Sequence, residues 1–326
     1  MNTTNTTIAS AQNLNLEFLP ELLNEVESRL IEPGWDGSAV LTDSIPADLI
    51  VGTHNGVFHA DEVLALALLR LGQPDLRWVR TRDADTLAGT LRVDVGEGLL
   101  DHHGNRAEAG VAACSRVYAL LSQSGAIPEW AQPVLTPIVT VVAAWDTGDD
   151  SAPHPLPYVH ALQEAATATG GNMDSAFEQA LEMVERHFRA LLTAAEARAE
   201  ATRIAQAEID NQADLLVVDF QTASRAADVK QLLHASGHPA LYYVSPESVS
   251  DWRVLCCAPQ DAAYSPFASK ALLPERFRGL RGAALAEAAG LPADCGIFCH
   301  AAGFIAGFTT REAAVAFANL CAEEVK

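Results

Sequence analysis

The sequence predicts an α/β protein in which a mostly parallel sheet carries helices, and a long helix joins this domain to a second, smaller α/β domain. Short apolar runs alternate with helical stretches in the first half of the chain, which is typical of a parallel sheet covered by helices. Residues 172–212 contain no proline and no glycine and are rich in Ala, Glu, Leu and Arg, so they predict the long helix. A length of 326 residues favours about two domains.

The elements of the first half follow from local patterns. Helical spacing of apolar residues predicts a helix over 16–32, which the segment EPGWDG ends. Apolar runs predict a helix over 63–71 and strands over 47–53, 76–81 and 90–96. Residues 134–146 are apolar nearly all round and predict either a buried helix or a buried strand that ends at Asp146.

The sequence of the second half predicts a smaller α/β domain. Strands are expected over 214–220, 240–245, 252–258 and 295–300, and helices around 225–235 and over 279–291 and 310–325. We therefore expect an amino-terminal extension (1–45), a first, catalytic domain (46–170), a connecting helix (171–212) and a second domain (213–326).

The composition limits the classes of function. The chain has 42 acidic and 21 basic residues, a formal charge of −21, which disfavours stable binding to DNA or to anionic membranes. A substrate that carries phosphate would need a local cationic site, which metal ions could provide. No segment reaches the roughly 18 unbroken apolar residues of a membrane span, and the amino terminus lacks signal-peptide features. We expect a cytoplasmic protein.

The six cysteines show no secreted disulfide spacing, so they are expected to be reduced. Cys295, Cys299 and His300 could form part of a zinc site that Cys256 or Cys257 completes. The favoured interpretation is that these cysteines are core residues, because CGIFCH alternates like a buried strand.

Two clusters of histidines and acids follow predicted strands. THNGVFHADE (53–62) supplies His54, His59, Asp61 and Glu62, a ligand set that suits Mn²⁺, Zn²⁺ or Fe²⁺. Asp61 and Glu62 could equally cap the following helix. Asp94 ends a later strand, and Asp101, His102 and His103 stand together just after it. Active-site residues commonly lie at the carboxyl ends of parallel strands. The two clusters together therefore favour a metal centre.

These motifs resemble those of the DHH phosphoesterase superfamily. The blocks GTHNGVFHADE, VDVG, DHH, WRVLCCAP, LPERFRGLRG and IFCHAAGFIAG narrow the resemblance to the melanocyte-proliferating-gene exonuclease family. Together they extend from about residue 50 to residue 320 in the family's order. The resemblance implies a two-domain fold, hydrolysis of phosphodiester bonds with two divalent ions (Mn²⁺ favoured), and 3′-to-5′ exonuclease activity on RNA or short oligonucleotides.

The resemblance also implies a set of ligands: His54, His59, Asp61, Asp94, His102 and Asp146. We expect Asp94 to bridge two ions, with His54 and His59 on one and Asp61, His102 and Asp146 on the other. Asp101 and His103 are expected to act from outside the ligand set, His103 as a general acid. This family has His59 where many superfamily members have an aspartate. Asp149 and Asp150 are alternatives to Asp146 as the fourth acidic motif.

The second domain is expected to bind substrate. IFCHAAGFIAG resembles a GGGH-type substrate loop, in which small residues let the backbone approach a phosphate. His300 and Gly303 lie in this loop, although a structural histidine beside a turn would look similar. Residues 270–282 carry Lys270, Arg276, Arg278 and Arg281 against Glu275, a local reversal of charge suited to phosphate. Some of these arginines are equally suited to pair with surface acids.

Two other functions remain open. One is hydrolysis of a small phosphate compound, a dinucleotide or pyrophosphate, which the acidic composition favours mildly. The other is a non-catalytic metal-binding protein, which the full set of ligand residues disfavours. The expected partner is RNA or a short oligonucleotide, with no membrane, and the sequence leaves a homo-oligomer open.

Overall fold

A computed structural model of the protein describes residues 50–104, 107–149, 151, 155–221 and 227–325. The predicted helix over 16–32 and the 1–45 extension lie outside these residues. The chain divides into two compact units between Ala195 and Glu196. That boundary falls inside the longest helix, α6 (Met173–Asp210). No helix in the described part of the chain combines the length and the apolar character needed to cross a bilayer.

The first unit is built on a small parallel sheet. Its three strands lie in the order β2-β1-β3, and both neighbours run parallel to β1. The elements, in chain order, are β1 (Ile50–Thr53), α1 (Ala60–Gly72), β2 (Arg77–Arg80), α2 (Ala84–Ala88), β3 (Leu91–Arg92), α3 (Ala113–Gln123), α4 (Gln132–Asp146) and α5 (Pro157–Thr169). This is the predicted α/β fold with a parallel sheet.

Helix α1 is the centre of the core of this unit. Every residue from Asp61 to Leu69 is buried, which explains why VLALALLRL is apolar all round. The helix packs against α3 and α4. The middle of β1 is equally crowded, because a Cβ at Gly52 would overlap the Thr90 hydroxyl and the Leu87 side chain.

Strand β3 is much shorter than the predicted 90–96 strand. Asp94 adopts φ 56°, in the left-handed region that ends an extended strand. The apolar run continues through Val95, yet the turn at Asp94 redirects the backbone, so the pattern alone overestimates the strand. The ambiguous segment 134–146 is helical and forms α4, with Pro137 inside it.

The second unit contains a five-stranded sheet in the order β4-β5-β6-β8-β7. Only β4 and β5 pair in parallel, and the other pairs are antiparallel. The elements are β4 (Val217–Asp219), α7 (Val229–Ala235), β5 (Tyr242–Ser248), β6 (Asp251–Cys256), a 3₁₀ turn (Glu275–Phe277), α8 (Gly282–Ala288), β7 (Gly296–Cys299), β8 (Ile305–Phe308) and α9 (Arg311–Val325). Phe317 of α9 packs on Phe308 and Phe277 in the core.

Candidate metal centre

Main-chain hydrogen bonds bring the ends of the three parallel strands together. The Thr81 N–H donates to the Thr53 carbonyl (2.8 Å), and the Val93 N–H donates to the Gly52 carbonyl (2.9 Å). The segments that carry His54 and Asp94 therefore leave the sheet side by side. The structure thus brings the two sequence clusters to one edge.

His54 lies between two carboxylates. Its Nε2 atom is 3.1 Å from Glu62 Oε1 and 3.3 Å from Asp94 Oδ2, and all three side chains are buried. One nitrogen or oxygen atom from each of His54, His59 and Glu62 lies within 4.8 Å of the others. These side chains offer the first candidate group of metal ligands.

Asp94 contacts histidines of both clusters. Besides His54, its Oδ1 atom lies 3.3 Å from His102 Nδ1 and 3.2 Å from His103 Nδ1. Burial raises the pKa of the Asp94 carboxyl, but hydrogen bonds and charge from His102 and His54 outweigh burial and lower it to about 2. Asp94 is therefore ionised at neutral pH and lies where a bridging ligand would be.

Asp61, His102 and Asp146 form a second candidate group. His102 Nε2 lies 3.1 Å from Asp146 Oδ2, at the end of α4, and His102 Nδ1 lies 3.6 Å from Asp61 Oδ2. Of the two alternatives to Asp146, Asp149 is exposed and accepts hydrogen bonds from Ser151, and Asp150 lies outside the described residues.

Asp61 also holds a helix. Its carboxylate accepts hydrogen bonds from the Ala113 N–H (2.9 Å) and the Cys114 N–H (2.7 Å), the first residues of α3. Burial, together with the charges of Asp94 and Asp146, raises the pKa of Asp61 well above its usual range. Asp61 was expected as a cap of the helix that follows it, but it caps α3 instead, and Glu62 alone caps α1 by accepting from the His59 N–H (2.9 Å). Neither contact prevents a metal from binding.

The buried atoms fit divalent ions. Asp94 Oδ1, His102 Nδ1 and Glu62 Oε2 are buried, and none makes a hydrogen bond of good geometry within the described residues, although Asp94 Oδ1 and His102 Nδ1 form an ion-pair contact at 3.3 Å. Buried polar atoms without hydrogen bonds are rare and need an explanation such as an ion. A mixed set of carboxylate oxygens and imidazole nitrogens suits Mn²⁺ and related ions. In contrast, no candidate ligand group among the described residues contains a cysteine, and all six cysteines are buried and free.

A cavity of about 840 Å³ opens over these residues. His103 lines it with a side chain that is 62% exposed. Asp101 fixes this ring, because its Oδ1 atom accepts from both the main-chain N–H and the Nδ1 atom of His103 (3.0 and 2.8 Å). Asp101 also accepts from the Glu97 N–H (2.8 Å), which braces the loop after β3. The geometry leaves the Nε2 atom of His103 for a bound molecule.

Two residues of the site are absent from the ligand set that the resemblance implies. Glu62 belongs to the first cluster of histidines and acids, and its position beside Asp61 was the sequence signal for a ligand. Arg80 carried no signal, since its role depends on distant residues. It is buried, donates to the Gly56 carbonyl (2.7 Å) and to Asp174 (2.6 Å), and lies over the ring of Phe177. Arg80 thereby anchors the loop between His54 and His59.

The residues predicted to bind substrate lie in the second unit. Arg276 pairs with Glu324, and Arg278 donates to the Leu273 carbonyl (2.8 Å) while it packs on Gly303. Gly303 has φ 73° and leaves no room for a Cβ beside Arg278. His300 and Arg281 are exposed, and His300 Nδ1 accepts from the Ala302 N–H (3.1 Å). Arg276 is exposed as well, but it is paired with Glu324.

We expect metal binding to release protons. Burial lowers the pKa of His54 and His102, but their carboxylate partners outweigh burial and raise each pKa to about 10 in the absence of metal. Both rings therefore carry protons at pH 8, although the ordinary pKa is about 6.5. An imidazole must lose its proton to bind a metal, so about two protons should be released and Mn²⁺ affinity should rise from pH 7 towards pH 10.

Calorimetric titration of Mn²⁺ into chelator-treated protein, in buffers of different ionisation enthalpy, measures this release. The His54→Gln variant should release one proton fewer than the wild type. Equal heats of Mn²⁺ binding in all buffers would show that no proton is released, and hence that these histidines are not ligands.

The family model and the curated relatives that match the chain carry the same family name. A family model, MYG1_exonuc, with the description "Uncharacterised protein family (UPF0160)", matches residues 50–111 and 156–321. MYG1 exonuclease from Homo sapiens is 29% identical over 327 residues, which cover 82% of this chain and 84% of that protein. The MYG1 protein of Chlamydia muridarum is 29% identical over 298 residues, covering 83% and 95%.

A solved structure matches the chain with a low TM-score. RecJ in complex with Mg²⁺ from Thermus thermophilus matches with a TM-score of 0.26 and 15% identity. The match covers 95% of this chain and 53% of RecJ, so the chain spans about half of that protein. The family model, in contrast, matches more than half of the sequence, including the segments that carry His54, Asp94 and His102. The chain therefore belongs to the MYG1_exonuc family.

Proposed function

We propose that this protein is a metal-dependent phosphodiesterase that removes nucleotides from the 3′ end of RNA or short oligonucleotides with two divalent ions, Mn²⁺ being favoured. The observation that carries the proposal is the position of Asp94, in contact with His54 on one side and with His102 and His103 on the other. The name of the human relative, an exonuclease, supports the reaction class.

Three groups of side chains are close enough to hold an ion, and the third, which consists of Asp94, Asp101, His102 and His103, shares His102 with the second. The first two would give each ion its ligands. His54, His59 and Glu62 would hold one ion, Asp61, His102 and Asp146 the other, and Asp94 would contact both. When bound, such a pair stabilises negative charge on a phosphoryl group and makes water more acidic. In the proposed domain arrangement, the first domain (46–170) holds the ions and the second domain (213–326) binds the substrate. Residues 171–212 connect the two domains. We propose that the enzyme acts in the cytoplasm.

His103 is suited to donate a proton. Its Nδ1 atom is held by Asp101, so the ring keeps one orientation, and its exposed side chain can reach the substrate in the cavity. The Nε2 atom of His103 is then the ring atom that can give a proton to the oxygen of the departing nucleotide. Asp101 acts through His103 and needs no contact with substrate.

The exposed groups of the second unit are proposed to bind phosphates away from the reacting bond. Contacts of this kind are shared by ground and transition states, so their loss raises KM more than it lowers kcat. We expect Arg281→Ala and His300→Ala each to raise KM for a short RNA while Mn²⁺ affinity stays unchanged. His187→Ala, which removes an exposed histidine from α6, is the matched control and should be silent. An unchanged KM in both variants, or a loss of metal binding in His300→Ala, would show that this unit does not bind the phosphates of the substrate.

One assay separates the candidate functions. RNA labelled at its 3′ end and a panel of dinucleotides and pyrophosphates are incubated with Mn²⁺ and the protein. Release of labelled mononucleotide supports the exonuclease, whereas turnover of the small compounds alone supports a hydrolase for these, which the charge of −21 favours. Metal binding without turnover of any substrate would identify a non-catalytic metal-binding protein.

A further inference from the structure

The cavity over the candidate metal centre has an unusual distribution of charge. Among the described residues that line it, five are acids: Asp61, Asp94, Glu97, Asp101 and Asp146. Arg82 is the only lysine or arginine among these lining residues. Neither a hydrogen bond nor an ion pair joins the Arg82 side chain to any residue that the structure describes. An arginine that does not pair with the nearby carboxylates is available to an anion that enters the cavity.

The position of Arg82 follows from the sheet. It lies two residues after β2, and β2 pairs with β1, the strand that leads to His54. The hydrogen bond from the Thr81 N–H to the Thr53 carbonyl holds the two strand ends together. Arg82 is thus fixed at the same edge of the sheet as the candidate ligands, while its side chain is exposed.

A second cavity begins where the first one ends. It has a volume of about 300 Å³ and is lined by Arg82, Ala84, Leu87, Ala88, Arg92 and Gly96. Arg82 and Gly96 line both cavities, so they mark the passage between them. The only charged residues among the described lining residues are the two arginines, and Arg92 donates to the Gly96 carbonyl (2.8 Å). In contrast to the acidic first cavity, this one is suited to an anion.

We propose that Arg82 binds a second phosphate of the substrate, one nucleotide away from the phosphodiester that is hydrolysed, and that the smaller cavity takes the group attached to it. The inference rests on the proposed function. A guanidinium group grips phosphate oxygens through a planar fork, which a lysine ammonium cannot copy. With ions bound, the acidic cavity would hold the phosphate of the bond that is hydrolysed. Arg82 would favour substrates that carry a second phosphate.

The test compares substrates that share a scissile bond but differ in phosphates. ApA has one phosphodiester, while pApA and ApAp each carry a further phosphate on one side. Steady-state kinetics with Mn²⁺ are measured for the wild type, Arg82→Ala, Arg82→Lys and Arg186→Ala. Arg186 is a matched control, because it is an exposed arginine on α6 of the same unit, paired with Glu182.

We expect Arg82→Ala to raise KM about 10-fold or more for pApA or ApAp, the range of a charged hydrogen bond, and to change KM for ApA far less, because ApA lacks the second phosphate. Arg82→Lys should fall in between, and Arg186→Ala should match the wild type. An Arg82→Ala variant that behaves as Arg186→Ala on every substrate, or that loses activity equally on ApA, overturns the inference alone. If Arg82→Ala changes the affinity for Mn²⁺ but not KM, the inference is also overturned, because Arg82 would then only balance the negative charge of the carboxylates. A wild type without turnover of any diester overturns the proposed function, and the inference with it.

Discussion

Asp94→Asn is expected to lower kcat for Mn²⁺-dependent hydrolysis of a short RNA by about 10³-fold or more, because it removes the charge that both candidate ions would share. The free energy of unfolding without metal should fall moderately, because asparagine lacks the negative charge that His54 and His102 contact, but the backbone should not be strained. Asparagine tolerates the left-handed backbone of residue 94, where φ is 56°, and fills the same volume. Alanine would add backbone strain, so asparagine is the cleaner substitution.

Mn²⁺ titration and chemical denaturation of Asp94→Asn separate these effects. The matched control is Asp75→Asn, which removes one negative charge from an exposed position in the same unit. The variant should bind less Mn²⁺ than the control and unfold cooperatively at a somewhat lower denaturant concentration. Wild-type turnover in Asp94→Asn would refute the shared-ligand assignment.

Asp61→Ala is expected to have the largest effect on stability among the candidate ligands. The change leaves the Ala113 and Cys114 N–H groups at the start of α3 without their acceptor. Each buried group that loses its partner costs about 1–3 kcal/mol. Removal of a buried carboxylate from the neighbourhood of Asp94 and Asp146 offsets part of this cost, so we expect a net loss of about 2 kcal/mol at pH 7. Metal-dependent activity should be lost as well.

Asp146→Ala provides the comparison, because Asp146 contacts His102 and is partly exposed at the end of α4. Urea denaturation of chelator-treated proteins should show a clear loss for Asp61→Ala and a small one for Asp146→Ala, although both variants lose activity. Equal stability in the two variants would mean that Asp61 does not hold α3.

The sequence predicted the parts of the site that follow strands. The apolar runs located β1 and β2, and the parallel arrangement then implied that His54 and Asp94 meet at one edge. The extent of β3 could not be predicted, because the turn at Asp94 depends on the contacts of its side chain with three histidines. Local patterns report burial, not the surroundings of a charged residue.

Other features depended on residues far apart in the chain. Helix α3 has no side chain of its own at its first residue to cap it, and the cap comes from Asp61, about fifty residues earlier. Strand β8 was missed because IAGF is short and rich in small residues, and it is fixed by pairing with β6 and β7. Arg82 was missed because nothing in RTRDAD marks an arginine that faces a cavity.

The central claim is that Asp94 lies between two divalent ions. Anomalous diffraction from crystals of the protein soaked in Mn²⁺ measures this directly. Two peaks about 4 Å apart are expected, one beside His54, His59 and Glu62 and the other beside Asp61, His102 and Asp146, with Asp94 in contact with both. A single peak that Asp94 does not touch, or no peak at saturating Mn²⁺, would contradict the account.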